Sequence, residues 1–261
     1  MRKRRLNLAA LAVNSSLGFA LGTVVALYVY QLGLVAAGLL FDREPLWYPD
    51  QVEFTVSGSE VARFGGILLV LLVGWALASI YRGGTGYDGT RLTVLWVTLH
   101  CFRQGLLPLV RVFFDGASDA DRALAALDPP ELLTWVVTAF GIAGLLGLGL
   151  LAAPALLRFA PHAEDLSTKR ARLTFIGVVG IVAWLVGALL VLPLLLPDAE
   201  SGALGLLPWS GVFLLFTLVA SPEPRDIDPV RRPVRLAWGT LVLLGVLMAA
   251  AKVFLVDGIS L

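Results

Sequence analysis

Seven long apolar stretches, separated by short charged loops, account for most of the 261 residues of this chain. The hydrocarbon core of a bilayer is about 30 Å thick, and an α-helix needs roughly 20 apolar residues to cross it. Backbone N–H and C=O groups in lipid must find partners within the protein, so these stretches are predicted to be helices. The stretches are residues 7–41, 64–81, 92–114, 132–157, 173–196, 206–220 and 235–256. The pattern predicts an all-α fold, a polytopic transmembrane helix bundle forming a single domain over residues 1–261.

The composition excludes an ordinary water-soluble domain. Hydrophobic residues make up 58% of the chain and charged residues only 15%, whereas soluble domains carry about 25% charged residues. The net charge is +1, and the expected partner is the lipid bilayer rather than a nucleic acid. The stretch at 206–220 is short for a full span and is typical of a tilted or re-entrant helix. We expect seven crossings if this stretch crosses the membrane, and six if it does not.

The distribution of lysine and arginine predicts an orientation, because basic loops stay on the cytoplasmic side of a membrane. In the seven-span arrangement, one side holds fourteen basic residues and the other holds four. Acidic residues show the opposite bias, with six on the basic side and thirteen on the other. The sequence thus predicts a cytoplasmic N-terminus and an external C-terminus. Arginine-rich inner loops suit anionic lipid headgroups, and the expected location is a prokaryotic cytoplasmic (inner) membrane.

Two loops on the predicted outer side show local structure. Val52, Phe54 and Val56 alternate with polar residues, which favours a short strand. Residues 118–127 read as a surface helix that is capped by Ser118 or Asp119 and ends before two prolines.

Small residues recur at helical spacing in the fourth and fifth stretches. Membrane helices associate through such residues, because they let two backbones approach closely. The residues are Ala139, Gly141, Ala143, Gly144 and Gly147 in the fourth stretch, and Gly177, Gly180, Ala183 and Gly187 in the fifth. We therefore expect the fourth and fifth stretches to pack against each other.

The third stretch carries polar side chains on one helical face. Trp96, His100, Arg103 and Gln104 fall on a single stripe at a period of 3.6 residues. At 1.5 Å per residue, Arg103 lies about 18 Å from Arg91, close to the middle of a bilayer. These four residues are the candidate ligand-binding residues of the chain.

Arg103 needs a partner at that depth, because an unpaired charge there costs at least a few kcal/mol. The candidates are Asp115 or Asp119 from an outer loop, backbone carbonyls, an anionic lipid or a small anionic ligand. The alternative is that Arg103 and Arg111 extend their side chains to the membrane surfaces. His100 is a lone histidine within the stretches, so no metal or cofactor is expected there.

Residues 1–130 resemble the site-2-type intramembrane zinc metalloproteases. That family carries His-Glu-Leu-Gly-His-Ala-Leu on its first core helix, and this chain has Ser-Ser-Leu-Gly-Phe-Ala-Leu at residues 15–21. Ser15, Ser16 and Phe19 stand where the resemblance places the first ligand, the general base and the second ligand. Asp115 or Asp119 corresponds to the family's third ligand.

These substitutions remove the chemistry that the family depends on. Catalytic zinc needs three protein ligands and a bound water, and hydrolysis needs the glutamate base. The resemblance therefore implies a pseudoprotease-like fold without zinc.

Two classes of function follow from the sequence. The first is a non-catalytic membrane protein, which is a binding protein, an accessory subunit or a pseudoprotease-like scaffold with a membrane-protein partner. The second is a small-molecule or lipid transporter, or a lipid-modifying enzyme, that uses the polar face of the third stretch. The chain has no intact catalytic motif, which favours the first class. A cavity at Arg103 that reaches one surface would favour the second class, whereas contacts of Arg103 with carbonyls inside a packed bundle would favour the first.

Overall fold

The computed structural model describes residues 2–55, 59–83, 88–114, 118–195, 210–219 and 235–261, and most of them are helical. The helices are α1 Arg2–Leu40, α2 Phe64–Gly83, α3 Gly89–Phe114, α4 Asp119–Ala125, α5 Glu131–Leu157, α6 Lys169–Ile176, α7 Ala183–Leu195, α8 Val212–Val219 and α9 Trp238–Phe254. A π-helical segment, Gly177–Val182, joins α6 to α7 without a break. The predicted all-α class is confirmed.

Among the described residues, four helical segments are long and apolar enough to cross a membrane. They are Asn7–Leu40, Glu60–Gly83, Glu131–Leu157 and Lys169–Leu194. Helix α3 has 26 residues but is more polar, and α9 has 17 residues. The predicted span at 206–220 lies partly outside the described residues, and within them α8 has only eight residues. At 1.5 Å per residue α8 is about 12 Å long, so this helix alone is too short to cross a bilayer.

A small antiparallel sheet marks one end of the bundle, which we call the sheet end. Strands β1 Pro45–Trp47, β2 Val52–Phe54 and β3 Ile259–Ser260 are ordered β2-β1-β3. Leu46 of β1 faces Glu53 of β2 on one side and Ser260 of β3 on the other. The chain therefore ends beside the C-terminal end of α1, whereas its N-terminus lies at the opposite end of α1.

The end of the bundle opposite the sheet holds the start of α1 and the loop between α5 and α6. We call it the basic end, because many lysine and arginine residues lie there. Basic residues there are Arg2, Lys3, Arg4, Arg5, Arg82, Arg91, Arg158, Lys169, Arg170 and Arg172. Helices α1 and α3 both run from the basic end to the sheet end. Helix α2, which comes between them in the sequence, runs in the opposite direction. This parallel arrangement sets which residues of α1 and α3 face each other.

Helices α1 and α3 pack closely at two glycines, which fixes their register. A Cβ added at Gly18 would lie 2.8 Å from the Trp96 ring, and one at Gly22 would lie 2.8 Å from the His100 ring. These distances are shorter than real Cβ contacts, so glycine is required at both positions. Residues of α1 therefore lie level with α3 residues numbered higher by about 77.

The predicted pairing of the fourth and fifth stretches through their small residues is wrong. Gly141 and Gly144 of α5 face Val110 and Leu106 of α3, whereas Gly187 of α7 faces Phe19 of α1. Helices α5 and α6 do meet near the loop that joins them. Small residues permit a close approach, but they do not select the helix that makes it.

The predicted structure of the sheet-end loops is confirmed where those residues are described. The Ser118 hydroxyl caps α4 by accepting a hydrogen bond from the backbone N–H of Asp121, at 3.1 Å. Val52 and Phe54 lie in β2, while Val56 is outside the described residues. Ser118 also donates to the carbonyl oxygen of Pro108 at 3.0 Å, which attaches α4 to α3.

Candidate functional site

A cavity of about 280 Å³ lies between α1, α3 and the loops of the sheet end. Its lining residues nearest the basic end are Thr23 of α1 and Arg103 of α3, at what we call the deep end, and those nearest the sheet end are Asp50, Gln51 and Arg122. Thr23 and Leu34 both line it, so it follows α1 for about 17 Å. The cavity extends to the sheet end, where its lining residue Gln51 is exposed. The remaining described lining residues are Leu27, Tyr30, Gln31, Val52, Arg63, Gln104, Leu107, Pro108, Arg111, Ser118, Asp119, Val191 and Ser210.

Arg103 forms the deep end of the cavity and is only 4% exposed. Its Nη2 donates to Oε1 of the neighbouring Gln104 at 2.7 Å, while its Nε–H has no hydrogen-bond partner among the described residues. In the part of the chain that the structure describes, no carboxylate forms an ion pair with Arg103. The Gln104 amide orients the guanidinium but does not neutralise its charge.

Pro108 shapes the cavity wall one turn beyond Gln104. Proline has no backbone N–H, so the carbonyl of Gln104 loses its usual helical donor at this point. Pro108 lies inside α3 and lines the cavity.

Gln31 contributes a second buried donor to the same cavity. Trp47, in the central strand β1, donates its Nε1–H to Gln31 Oε1 at 2.8 Å. This hydrogen bond fixes the amide, so that the Gln31 Nε2 group lies on the other side. Nε2 has no partner among the described residues, and Gln31 is only 1% exposed. A buried polar group without a partner is costly, which is typical of a position that a ligand or water completes.

Charged side chains near the mouth of the cavity are paired with one another. Arg63 Nη1 contacts Asp119 Oδ1 at 2.7 Å, and the Tyr30 hydroxyl donates to Asp119 Oδ2 at 2.8 Å. Glu60 accepts from Arg43 at 2.6 Å and also pairs with Arg63. Both oxygens of Asp119 are thus engaged, so Asp119 is not the partner that the sequence suggested for Arg103.

The cavity wall carries more positive than negative charge. Its described lining includes the arginines Arg63, Arg103, Arg111 and Arg122, and the carboxylates Asp50 and Asp119. Within this lining, Arg63 and Asp119 form an ion pair with each other. Guanidinium groups in a partly dehydrated cavity bind carboxylates and phosphates, often through two parallel hydrogen bonds. The site is therefore chemically suited to an anion.

Trp96 and His100 do not line this cavity, although they share the helical face of Arg103. Both are fully buried closer to the basic end, where their rings lie 6.1 Å apart. Phe19 packs edge-on against the His100 ring at 4.3 Å, and Phe213 lies 6.3 Å away. The polar face of α3 is thus divided into a packed aromatic half and a half that lines the cavity.

The motif residues of α1 make packing contacts. Ser15 Oγ accepts from Trp96 Nε1 at 2.8 Å and donates to the carbonyl of Val179 at 2.5 Å. Val179 lies in the π-helical segment, so Ser15 connects α1 to both α3 and that segment. Ser16 donates to the Ala12 carbonyl one turn earlier in its own helix, and Phe19 belongs to the aromatic cluster.

The structure does not bring Asp119 to the motif. Asp119 contacts Tyr30, which lies about 22 Å along α1 from Ser15. Asp115 is outside the described residues. Within the described residues, no group of three or more histidine, cysteine, aspartate or glutamate side chains could hold a metal ion.

Comparison with known proteins adds no assignment: no family model, curated protein or solved structure matches the chain. The functional argument therefore depends on the cavity itself.

Several cavity residues could not be assigned from the sequence as part of a site. Gln31 lies in an apolar stretch, and only the strand that holds Trp47 shows how its amide is oriented. Arg111 was expected to extend to the membrane surface, but it lines the cavity. To assign either residue to the cavity, one must know which helices and strands pack against each other. The available signal was that Arg103 and Arg111 share one stripe of α3.

Proposed function

We propose that the chain is a multi-pass membrane protein that binds an anionic ligand without transforming it. Support for the membrane location comes from apolar side chains that are more than half exposed on several helices. They include Leu68, Leu72, Trp75, Phe140, Leu151, Leu189 and Val242. A water-soluble monomer rarely exposes apolar patches on this scale, whereas lipid would cover them.

The proposed orientation has the basic end in the cytoplasm of a prokaryotic cell and the sheet end outside. The fourteen-to-four bias of basic residues supports it. The two termini lie at opposite ends of α1, which agrees with an odd number of crossings. The seventh crossing is part of this proposal, because α8 alone is too short to span a bilayer.

Cysteine labelling tests this orientation. The single cysteine, Cys101, is buried, so it is replaced by serine before exposed cysteines are introduced. A membrane-impermeant maleimide applied to intact bacteria is expected to label Ser260→Cys at the sheet end, because that end faces outward. It should label Lys169→Cys at the basic end only after the cells are opened. The reverse pattern would contradict the proposed orientation.

The observation that carries the binding proposal is the position of Arg103. It lies in the middle of the bundle, lines a cavity that reaches the sheet end, and has no carboxylate partner among the described residues. A charge at that depth costs about 2.5–3.5 kcal/mol on insertion scales, and such residues are usually functional. An anionic ligand that enters from outside would neutralise the guanidinium and complete its hydrogen bonds.

Binding is favoured over transport because the described part of the bundle is filled below Arg103. Phe19, Trp96, His100 and Phe213 are fully buried there and pack against one another. A transported anion would have to displace this aromatic cluster to reach the basic end. The proposed role is accordingly that of a binding or accessory protein. It would hand its ligand to another membrane protein, or contact that protein when the ligand is bound.

Stabilisation by phosphate tests the proposal. Ligand at ten times its Kd adds about 1.4 kcal/mol to the free energy of unfolding, which raises Tm by roughly 3 °C or more. We expect sodium phosphate to produce a saturable rise in the detergent-purified protein, compared with sodium chloride at equal ionic strength. Arg103→Gln should abolish this rise, since it keeps a hydrogen-bonding amide but removes the charge.

Lys169→Gln is the matched control, because it removes one exposed positive charge at the basic end. It should respond to phosphate as the unmodified protein does. Phosphate also stabilises proteins without binding them, through exclusion from their surface. A rise that does not saturate and is equal in Arg103→Gln would therefore reject anion binding at this site.

A further inference from the structure

The cavity is larger and less polar than a lone inorganic anion requires. Leu27, Leu34 and Leu107 contribute apolar side chains to its wall between the deep end and the mouth. A volume of about 280 Å³ is at the lower end of the range for small-molecule pockets. The walls therefore suit an organic molecule with an uncharged portion beside its charge.

The two buried donors without partners lie at different depths in this cavity. The register set by Gly18 and Gly22 places Gln31 level with residues of α3 near Pro108. Arg103 lies three to six residues nearer the basic end, which corresponds to roughly 5–9 Å. The cavity thus presents a positive charge at its deep end and a neutral amide donor one or two turns closer to the mouth.

The two donors differ in what they recognise. The guanidinium of Arg103 suits a phosphate or carboxylate group. The Gln31 Nε2 group is uncharged and donates to any oxygen acceptor, such as a hydroxyl, ester or carbonyl oxygen. Trp47 holds this amide with its donor side away from the indole, so the donor is available before the ligand arrives.

We infer that the ligand is a small organic anion, with a phosphate or carboxylate group bound at Arg103 and an uncharged oxygen acceptor bound at Gln31. This inference rests on the proposed function and specifies its ligand. The same chemistry occurs in a free phosphate ester and in the headgroup of a phospholipid from the outer leaflet. Gln31 discriminates these molecules from inorganic phosphate, which cannot reach both donors.

Titration with paired probes tests the inference. In calorimetry on the detergent-purified protein, glycerol 3-phosphate should bind about tenfold more tightly than inorganic phosphate, since it gains one further hydrogen bond. Gln31→Leu should remove this preference, so that glycerol 3-phosphate binds only about as tightly as inorganic phosphate does. Dihexanoyl phosphatidic acid distinguishes the two sources: tighter binding than glycerol 3-phosphate indicates a lipid headgroup, and weaker binding indicates a soluble ester.

Two further variants keep the result interpretable. Trp47→Phe retains Gln31 but removes the hydrogen bond that orients it, so the preference should fall by about threefold. This variant carries the test if Gln31→Leu does not fold, as judged by circular dichroism. Arg103→Gln should weaken the binding of both probes.

The outcomes separate the two proposals. Equal affinities for the two probes, or a preference that survives both Gln31→Leu and Trp47→Phe, would overturn the inference while leaving anion binding at Arg103 intact. Failure of both probes to bind would overturn the inference and the proposed function together.

Discussion

Gly33→Ala is expected to destabilise the protein by about 2–3 kcal/mol, although it adds only one methyl group. Gly33 is buried where α1 crosses α2, and its added Cβ would overlap the carbonyl oxygen of Gly65 and lie 2.8 Å from the Cα of Gly66. These neighbours are backbone atoms, so the methyl cannot be accommodated by a side-chain rotation. The two helices would have to separate. Unfolding in detergent under increasing denaturant measures the loss.

Gly147→Ala is the matched control for this prediction. Gly147 also lies inside a long helix, α5, but an added Cβ there would meet no atom within 4 Å. The substitution should be neutral or stabilise by about 0.5–1 kcal/mol, because alanine favours helix more than glycine does. If both variants lost stability equally, the crossing of α1 and α2 at Gly33 would be incorrect.

Arg103→Leu is expected to increase the stability of the ligand-free protein by about 2 kcal/mol. Arg103 is a buried charge whose described partner is the neutral Gln104. Leucine is shorter than arginine, but it removes the cost of keeping that charge dehydrated, and apolar replacements of buried charges are often stabilising. The same denaturant titration, carried out without phosphate or other polyvalent anions, checks the direction.

Arg63→Leu should change stability in the opposite sense. Arg63 is ion-paired with both Asp119 and Glu60, so its removal leaves partly buried carboxylates without their counter-charge. Breaking such a pair by deleting one partner is destabilising. A loss of stability in Arg103→Leu comparable to that in Arg63→Leu would indicate that Arg103 also has a structural role. The contrast between the two arginines separates a residue kept for binding from one kept for folding.

The helices could be predicted from the sequence because each apolar run is a local signal. The bounds 64–81 and 132–157 lie close to those of α2 and α5. The helix cap at Ser118 was also predictable, since capping depends on residues within one turn. The structure of the segment at 206–220 could not be predicted, because its length suits both a tilted span and a short inserted helix.

Features that depend on distant contacts could not be predicted in the same way. Strand β3 forms only because the C-terminus returns to β1, and two residues carry no alternation signal. The small residues of α5 indicated a close approach but not that α3 would make it. Helical neighbours in lipid are chosen by shape along the whole interface, which a glycine pattern does not specify.

The candidate site was predictable to the extent that one residue dominates it. A mid-helix arginine is visible in the sequence, and the structure places it at the deep end of a cavity. Trp96 and His100 share its helical face, yet the neighbours of α3 change along its length and enclose them in aromatic rings. Gln31 contributes through Trp47, which lies sixteen residues further along the chain in the hairpin of β1 and β2.

Equilibrium dialysis with radiolabelled phosphate tests the central claim most directly, because it counts bound anions without relying on stability. The detergent-purified protein is predicted to bind one phosphate per chain saturably. Arg103→Gln should lose this binding, and Lys169→Gln should retain it. The absence of saturable binding to the unmodified protein, or equal binding by Arg103→Gln, would contradict the assignment of Arg103 to an anion site.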